Sequence, residues 1–284
     1  MNLKESLNLL ITLMVRQAHH ERNQQVTVRP ELVEGLNQSF LNKHWLQPDW
    51  PVPSNVHAAT TLRTGGVSQG RYASLNPATH VGDNIDSVSQ NRQTIQTLLD
   101  LPSEPVWLNQ IHSNRAVKAI ATDTPQQADA SYTDKPGVVC AVLTADCLPL
   151  LVCTANGTEI AAIHAGWRGL LDGVIDSTID AMQNKDALVW LGPAIGQERF
   201  EVGAEVRTAF LAKSAEYASA FKQHGQDKWL ADIYQLARIN LAALGIDKVY
   251  GGNFCTVTDK ERFYSYRRNK DTGRMATLIW RDWA

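Results

Sequence analysis

Short apolar segments follow one another closely through the middle of the chain, and their spacing strongly constrains the fold. Each is long enough for a β-strand. The segments are Val106 to Leu108, Ala116 to Ile120, Val138 to Leu143, Leu148 to Val152 and Ile160 to Ile163. Parallel neighbours need a crossover of about a dozen residues or more, usually with a helix, and these gaps leave little room for one. Several of these strands are therefore predicted to pair antiparallel.

Helical periodicity appears on both sides of this strand-rich region. One helix is predicted after Asp83, which is placed as its N-cap. A second is predicted from Leu170 to Met182, and a third from Trp229 to Leu244, closed by Gly245 as C-cap. Further strand-like segments are Val56 to Leu62, Leu188 to Leu191, Val249-Tyr250 and Thr277 to Trp280. Together these elements predict an α/β fold, a mixed-sheet layered α/β sandwich, as a single compact domain over residues 41–284.

Residues 1–40 are interpreted as an N-terminal extension that is not part of the fold. The apolar run from Leu7 to Val15 is shorter than the ~20 residues of a membrane-spanning helix, and no small-residue cleavage site follows it. The next segment, VRQAHHERNQQVTVRPELVEGL, is polar and without clear period. It resembles the translation of a bacterial intergenic repeat, so His19 and His20 are interpreted as incidental rather than as metal ligands.

Charge and cysteine content exclude several classes of function. The chain has 27 Lys and Arg against 29 Asp and Glu, which indicates neither a nucleic-acid surface nor attraction to an anionic membrane. Its four cysteines form no CxxC pair, so disulfides are not expected and the cytoplasm is the predicted compartment. Cys140, Cys153 and Cys255 are interpreted as inert buried thiols. The sequence leaves the oligomeric state open.

The segment TADCLPLL places Asp146 beside Cys147 directly after the apolar run VVCAVL. A buried carboxylate is costly unless it is paired, hydrogen-bonded or near a metal. His112 and His164 also lie where apolar segments give way to turns. One cysteine and two histidines are suitable zinc ligands, and three protein ligands leave a fourth position for water or substrate. The residues alone leave an ordinary buried cysteine and two ordinary histidines as the alternative.

Several long motifs occur in an order that resembles a known family. They are TTLRTGGVSQGRYASLN, NQIHSNRAV, ADASYTD, TADCLPLL, IAAIHAGWRGLL, LGPAIGQERFEVG and FYSYRRNKDTGRMA. This order resembles the laccase-domain, or multicopper polyphenol oxidase-like, family of zinc-dependent purine nucleoside phosphorylases, from about Val56 to the C-terminus. The resemblance implies that His112, Cys147 and His164 bind zinc. It also implies phosphorolysis of adenosine, inosine, guanosine and methylthioadenosine, with purine nucleoside and phosphate as substrates, and sometimes adenosine deamination.

Phosphorolysis needs cations for phosphate and a group that stabilises the leaving purine. Asp146 is expected to transfer a proton or to orient the site, and Arg63 and Arg168 are expected to bind phosphate oxygens. Gln110 is a candidate substrate contact. Each has a structural alternative: surface or salt-bridged arginines, and a glutamine that alternates outward on its strand. The segment from Phe263 to Arg268 either supplies an aromatic ring under the purine or packs in the core.

Other functions fit part of this pattern. A cysteine or metal-assisted amide hydrolase that edits cell-wall precursors would use Cys147 as nucleophile and a histidine as base. A copper-dependent polyphenol oxidase characteristically carries His-x-His pairs, and none occurs here. The histidines of the predicted domain are His44, His57, His80, His112, His164 and His224. Copper is an alternative occupant of the same ligands because divalent-metal affinity peaks at copper. A non-catalytic binding protein is a further alternative.

Overall fold

The computed structural model describes residues 45–122 and 124–282. The interpreted extension over residues 1–40, with His19 and His20, lies outside the described residues. The predicted start of the domain at residue 41 and His44 also lie outside them. Within the described part of the chain, no helix has the length and apolar character needed to cross a membrane.

The described part of the chain contains thirteen strands and six α-helices. The strands are β1 (Trp45–Leu46), β2 (Val56–Thr61), β3 (Ala116–Lys118), β4 (Ala130–Thr133), β5 (Cys140–Thr144), β6 (Leu148–Thr154), β7 (Ile160–Ala165), β8 (Ala187–Leu191), β9 (Glu201–Gly203), β10 (Phe221–Gln223), β11 (Lys228–Ala231), β12 (Val249–Gly251) and β13 (Met275–Arg281). The α-helices are α1 (Ile85–Leu98), α2 (Trp167–Asp172), α3 (Val174–Ala181), α4 (Ala204–Lys213), α5 (Ile233–Ala243) and α6 (Tyr266–Asn269). Short 3₁₀ helices occur at Gly70–Tyr72, Gln197–Arg199 and Ala215–Ala220.

A six-stranded mixed sheet lies at the centre, in the order β12-β8-β6-β7-β4-β3. Strand β6 pairs antiparallel with β7 and β8, and β4 pairs antiparallel with β7. These pairs confirm the antiparallel prediction for the closely spaced strands. Strand β12 runs parallel to β8, since the long segment between them contains the helices that bring the chain back.

A four-stranded antiparallel sheet, β1-β2-β13-β5, packs face to face on the first. Strand β5 belongs to this second sheet, whereas β6 belongs to the six-stranded sheet. The chain therefore passes from one sheet to the other at residues 145–147. Asp146 makes this passage with a φ of 90°, in the left-handed region that non-glycine residues rarely adopt.

The two sheets and their helices form stacked layers. Cys140, Val142, Leu151 and Ile279 pack between the sheets. On the opposite face of β6, Leu150 contributes with α3 and α5 to the largest apolar cluster. Neighbouring residues of a strand face opposite sides, so the fully buried strand β6 supplies both interfaces.

The outer face of the four-stranded sheet is also covered. Ala141 and Leu143 of β5 pack in one cluster with Ile95 of α1. The resulting order is helix, sheet, sheet, helices. This arrangement confirms the predicted mixed-sheet layered α/β sandwich and its single compact domain. A smaller sheet, β10-β11-β9, lies beside these layers.

Three helix boundaries differ from the sequence predictions, each for a local reason. Asn84, not Asp83, caps α1, because its side-chain oxygen accepts the Ser87 N–H at 2.9 Å. The single helix predicted from Leu170 to Met182 is interrupted at Gly173, whose φ is 88°. The helix predicted from Trp229 begins only at Ile233, because the preceding residues form β11.

Candidate metal centre and its pocket

A pocket of about 470 Å³ opens beside the passage from β5 to β6. Asp146 and Cys147 line it, together with His112 from the loop before β3 and His164 from the end of β7. Three separate segments of the chain therefore meet at one place. The sequence-predicted ligand set is brought together by the fold.

The donor atoms of His112, Cys147 and His164 all lie within 4.8 Å of one another. The two imidazole rings meet edge to face, with centroids 4.8 Å apart. Donor atoms bound about 2.0–2.3 Å from a tetrahedral zinc would be about 3.5 Å apart, so small side-chain adjustments would suffice. Among the described residues, this is the one group of three or more His, Cys, Asp or Glu side chains suited to hold a metal ion.

Gly166 has no side chain, and Cys147 and His112 lie close to where one would be. A Cβ atom at this position would lie 3.0 Å from Cys147 Sγ and 3.4 Å from His112 Cδ2. Such contacts are tighter than ordinary van der Waals distances, so an alanine would push against both predicted ligands. The glycine in the motif IHAGWRG is thereby explained by the donor cluster.

Asp129 organises both histidines, and sequence reasoning missed it. Its Oδ1 atom lies 2.8 Å from His164 Nδ1 and accepts the His112 backbone N–H at 3.0 Å. Its Oδ2 atom accepts the N–H and O–H of Ser113 at 2.6 and 2.7 Å. This fully buried carboxylate holds His112 in a left-handed conformation with φ 59°. The motif ADASYTD contained Asp129, but nothing in its spacing linked it to His112 or His164.

The pKa values of Asp129, Cys147 and His164 depend on one another. Burial raises the pKa of the Cys147 thiol, but the charge of His164 and hydrogen bonds from both histidines lower it to about 6. Burial opposes the charge on His164, yet the Cys147 thiolate and Asp129 raise its pKa to about 9. Burial raises the pKa of Asp129, whereas hydrogen bonds from His164 and Ser113 lower it to about 2. A thiolate is the form in which cysteine binds a metal.

Asp146 faces away from the histidines. Its Oδ1 atom accepts a hydrogen bond from Thr256 Oγ1 at 2.6 Å. Its Oδ2 atom accepts hydrogen bonds from Ser265 Oγ at 3.1 Å and from the Arg267 backbone N–H at 2.6 Å. These donors compensate the cost of burying the carboxylate. Asp146 thus ties the passage between β5 and β6 to Thr256 and to the segment of Ser265 and Arg267, which lines the pocket.

Gln110 lines the pocket but is anchored to a strand. Its Nε2 atom donates to the Leu143 carbonyl at 2.8 Å, and its Oε1 atom accepts the Leu143 N–H at 2.7 Å. The side-chain amide thereby continues the edge of β5. It holds the loop that carries His112 against the strand that leads to Cys147.

The two predicted arginines have different positions. The Arg63 guanidinium donates to the carbonyls of Ala73 and Lys260 and lies 5.0 Å from the Tyr264 ring. It does not line this pocket, so the structure does not bring Arg63 to the predicted ligands. Arg168 does line the pocket, with its guanidinium 4.3 Å from the Trp167 ring.

The pocket wall also contains residues that sequence reasoning did not select. His80, Arg267 and Arg274 add positive or polar groups, and Phe200 adds an aromatic ring. In the segment from Phe263 to Arg268, the first two aromatic residues are fully buried in the core. Tyr266 instead is 51% exposed and lines the pocket, so the core alternative holds for the first two rings and a ring under the purine stays a prediction for Tyr266.

The other cysteines lie in different surroundings. Cys140 and Cys153 are fully buried, and burial raises the pKa of each thiol to about 12. Cys255 is only half-buried, and although burial raises its pKa, hydrogen bonds from Thr258 and nearby backbone N–H groups lower it overall. The prediction of a buried thiol is therefore wrong for Cys255, and its inertness stays a prediction. All four cysteines are free.

Residues 57–282 match the family described as multi-copper polyphenol oxidoreductase laccase. The chain belongs to this family. Purine nucleoside phosphorylase YfiH of Escherichia coli strain K12 is 52% identical over 236 residues, which cover 82% of this chain and 97% of that protein. The purine nucleoside phosphorylase of Pseudomonas aeruginosa is 50% identical over 239 residues, covering 83% of this chain and 98% of its own length.

A solved structure of the same fold comes from Neisseria meningitidis. Its protein NMB0706 is 50% identical, with a TM-score of 0.82, over 84% of this chain and 100% of that chain. The family resemblance predicted from the motifs is thus confirmed. The laccase-like family is a metal-binding one, and the His112, Cys147 and His164 cluster is its candidate metal site in this chain.

Proposed function

We propose that this protein is a zinc-dependent purine nucleoside phosphorylase. It would convert adenosine, inosine, guanosine or methylthioadenosine and phosphate to the free base and a ribose 1-phosphate. The observation that carries the proposal is the cluster of His112, Cys147 and His164 in a pocket that also presents unpaired cationic side chains. The names of the two closely similar relatives support the same reaction.

The donor set fits zinc. One thiolate and two imidazoles are borderline ligands of the kind zinc prefers, and three of them leave a fourth position open. Asp129 orients His164 in the manner of the carboxylate–histidine pairs common beside zinc. When bound, the metal supplies a Lewis acid that polarises an oxygen or nitrogen atom of the substrate or a water. An activated water would also account for adenosine deamination at the same site.

The pocket's charges suit the reaction. A phosphate oxygen attacks C1′ of the ribose as the bond from C1′ to the purine nitrogen breaks, and the purine leaves with the electron pair. Guanidinium groups hold the phosphate and balance its charge. Arg168 lines the pocket and is a candidate contact for the substrates, as is Gln110. A cytoplasmic location would keep the Cys147 thiol reduced, in agreement with the free cysteines.

Asp146 would act by positioning rather than by binding the metal. Its two oxygens already accept three hydrogen bonds from Thr256, Ser265 and Arg267. A proton-transfer role would require one of these donors to be displaced. The amidase alternative is favoured by one observation, the placement of the Cys147 and His164 donor atoms within 4.8 Å of each other, as a nucleophile and a base would be.

The experiment measures base release from inosine by the purified protein with and without inorganic phosphate. Release that requires phosphate, and that is lost in Cys147→Ala and His164→Ala, would support the proposal. His224→Ala is the matched control, because this exposed histidine lies outside the pocket and only approaches Glu201. Turnover without phosphate, or full activity of Cys147→Ala, would contradict it.

Metal analysis separates the alternatives. We expect a single zinc ion per chain, lost in His112→Ala and retained in His224→Ala. A metal-free protein that cleaves amides through Cys147 would identify the hydrolase instead. Copper with oxygen consumption on phenols would identify the oxidase.

A further inference from the structure

The pocket carries more positive than negative charge. Arg168, Arg267 and Arg274 line it, whereas Asp146 is its single carboxylate. None of these arginines forms a salt bridge among the described residues. The Asp146 carboxylate already accepts hydrogen bonds from Thr256, Ser265 and Arg267. Guanidinium groups without carboxylate partners favour an anionic ligand.

Two of these arginines are exposed, and the guanidinium group of each lies near an aromatic ring at the pocket wall. Arg168 lies over Trp167. Arg267 donates through both Nη atoms to the Glu201 carbonyl at 3.1 and 3.2 Å, and its guanidinium lies 5.7 Å from the Phe200 ring. Both Nη atoms of Arg267 are therefore already hydrogen-bonded to a backbone carbonyl. Neither residue is pre-set for bidentate binding of an anion in the pocket.

Arg274 is held differently and is the more buried of the three. Its Nη1 atom donates to the carbonyls of Thr272 and Gly273 at 2.8 and 3.1 Å. Nε and Nη2 donate no hydrogen bond to any other described residue. Burial lowers the pKa of this guanidinium, and the charges of Cys147 and Asp146 oppose that shift. One edge of the fork is thus fixed to the backbone and the other is available to a ligand.

The backbone of Arg274 is fixed as well. Its N–H donates to Asn76 Oδ1 at 3.0 Å, and Asn76 is fully buried. The preceding Gly273 lies so close to the Tyr264 ring that a Cβ would be 2.7 Å from its Cζ atom. Such contacts preorganise the cation and reduce the entropy lost when it binds a ligand.

His80 lines the same side of the pocket from the loop that follows Asn76. This loop is held by Asp83, whose Oδ2 atom accepts hydrogen bonds from Ser68 and Asn76 at 2.6 and 2.8 Å. Asn76 therefore connects the loop of His80 to the backbone of Arg274. The positive charge of Arg274 contributes, after burial, to lowering the pKa of His80, in agreement with their proximity.

Part of the pocket lining is apolar. Ile195, Phe200 and Ile233 line it and belong to the core cluster on the helical side of the six-stranded sheet. His80 and Arg274 come from segments that flank the four-stranded sheet. Two walls of different chemistry therefore face the same cavity, one suited to an anion and the other to a flat heterocycle.

We propose that Arg274 and His80 form the phosphate subsite, with the nucleoside base against the apolar wall. This inference rests on the proposed phosphorylase function. Arg274 would give two N–H donors to phosphate oxygens, and His80 a third hydrogen bond. The proposal differs from the sequence expectation, which selected Arg63 and Arg168 for phosphate.

The test compares Arg274→Gln and Arg274→Lys with Arg168→Gln inside the pocket and with Arg262→Gln outside it, where the exposed Arg262 pairs with Asp259. The KM for inorganic phosphate is measured at saturating inosine, and the KM for inosine at saturating phosphate. Loss of a charge-assisted contact worth about 1.5–3 kcal/mol predicts a rise of about 10- to 150-fold in the phosphate KM of Arg274→Gln. Arg274→Lys should recover part of this loss, because it keeps the charge without the fork. The inosine KM should change much less.

Arg262→Gln should leave the phosphate KM near that of the unmodified protein, and Arg168→Gln should raise it less than Arg274→Gln does. If Arg168→Gln raises the phosphate KM and Arg274→Gln does not, the subsite lies at Arg168 and the proposal is overturned. If Arg274→Gln is poorly folded, His80→Asn provides the same test, because its loop is held by Asn76 and Asp83 rather than by His80.

Direct binding of inorganic phosphate to the metal-loaded protein, measured by calorimetry, separates this proposal from the proposed function. If base release proves independent of phosphate, the phosphorylase function fails. The subsite then stands if phosphate binds and Arg274→Gln abolishes that binding. It fails if phosphate does not bind, or binds equally to the variant.

Discussion

At the scale of single residues, the candidate centre depends on Asp129 more than on the carboxylate that the sequence made conspicuous. Asp146 adjoins Cys147 in the chain, yet its hydrogen bonds lead to Thr256, Ser265 and Arg267. Asp129 lies 18 residues before Cys147 and contacts both histidines. Asp129 can therefore be tested as the residue that supports the metal ligands, with Asp146 as the control.

Asp129→Asn is expected to weaken zinc binding about 10- to 100-fold, the usual effect of losing a partner of a metal ligand. An amide cannot accept hydrogen bonds at both ends, so either Ser113 or His164 would lose its acceptor. The measurement is competition with a chromogenic chelator. Asp146→Asn should retain zinc affinity close to that of the unmodified protein, and equal losses in the two variants would refute the distinction.

Gly166→Ala is expected to impair zinc binding while the fold persists. The added Cβ would meet Cys147 Sγ at 3.0 Å, so the predicted ligands must move apart. Gly196→Ala is a matched control, because its Cβ would instead meet the Sγ atom of Cys255 at 3.2 Å. Zinc content measured by elemental analysis should fall in the first variant only. Loss of zinc in both would assign the effect to general distortion.

At the scale of elements, caps and turns determine where the pocket walls begin. Asp232 ends β11 and starts α5 by accepting the N–H groups of Tyr234 and Gln235, each at 3.0 Å. The next residue, Ile233, lines the pocket. The apolar periodicity of this region extends across the cap, which is why the sequence predicted one longer helix.

Asp232→Ala is expected to lower the free energy of unfolding by about 1 kcal/mol, because the side-chain acceptor of the N-cap is lost. Asp232→Asn should keep most of the stability, since its amide oxygen can accept the same hydrogen bonds. Urea unfolding followed by circular dichroism measures both. A loss of equal size in the two variants would mean that the charge of Asp232, rather than the cap, is what stabilises.

At the scale of the whole molecule, the centre lies where two stacked sheets meet. The passage from β5 to β6 carries Cys147, and β7 of the six-stranded sheet carries His164. Asp129 directly precedes β4 of the same sheet, and the loop before β3 carries His112. Burial of Asp129 in this junction couples the stability of the molecule to acid.

The metal-free protein is expected to lose stability as the pH falls from about 4 towards 2. The pKa of Asp129 in the native state is about 2, below its ordinary value of 3.8. Its contribution is therefore fully present above the unfolded pKa and is lost as the pH falls through the folded one. In urea unfolding at pH 5 and pH 2.5, the stability difference between the unmodified protein and Asp129→Asn should shrink at the lower pH. A constant difference would contradict this assignment.

The sequence by itself determined the layered α/β class, the antiparallel pairing of β6 with β7, and the family. Strand alternation, short connections and long motifs are local properties, and they can be read without knowledge of the rest of the chain. Local spacing also marked Cys147 and His164 as chemically unusual, because a polar ligand type followed each apolar strand.

Only the tertiary structure decided which charged groups share the pocket. Asp129, His80 and Arg274 lie in separate segments, and Arg63 is directed to carbonyls elsewhere. Their positions follow from how the two sheets stack and from the hydrogen bonds that hold each loop, such as those of Asn76. These contacts join residues far apart in the chain, so no periodicity or motif spacing encodes them.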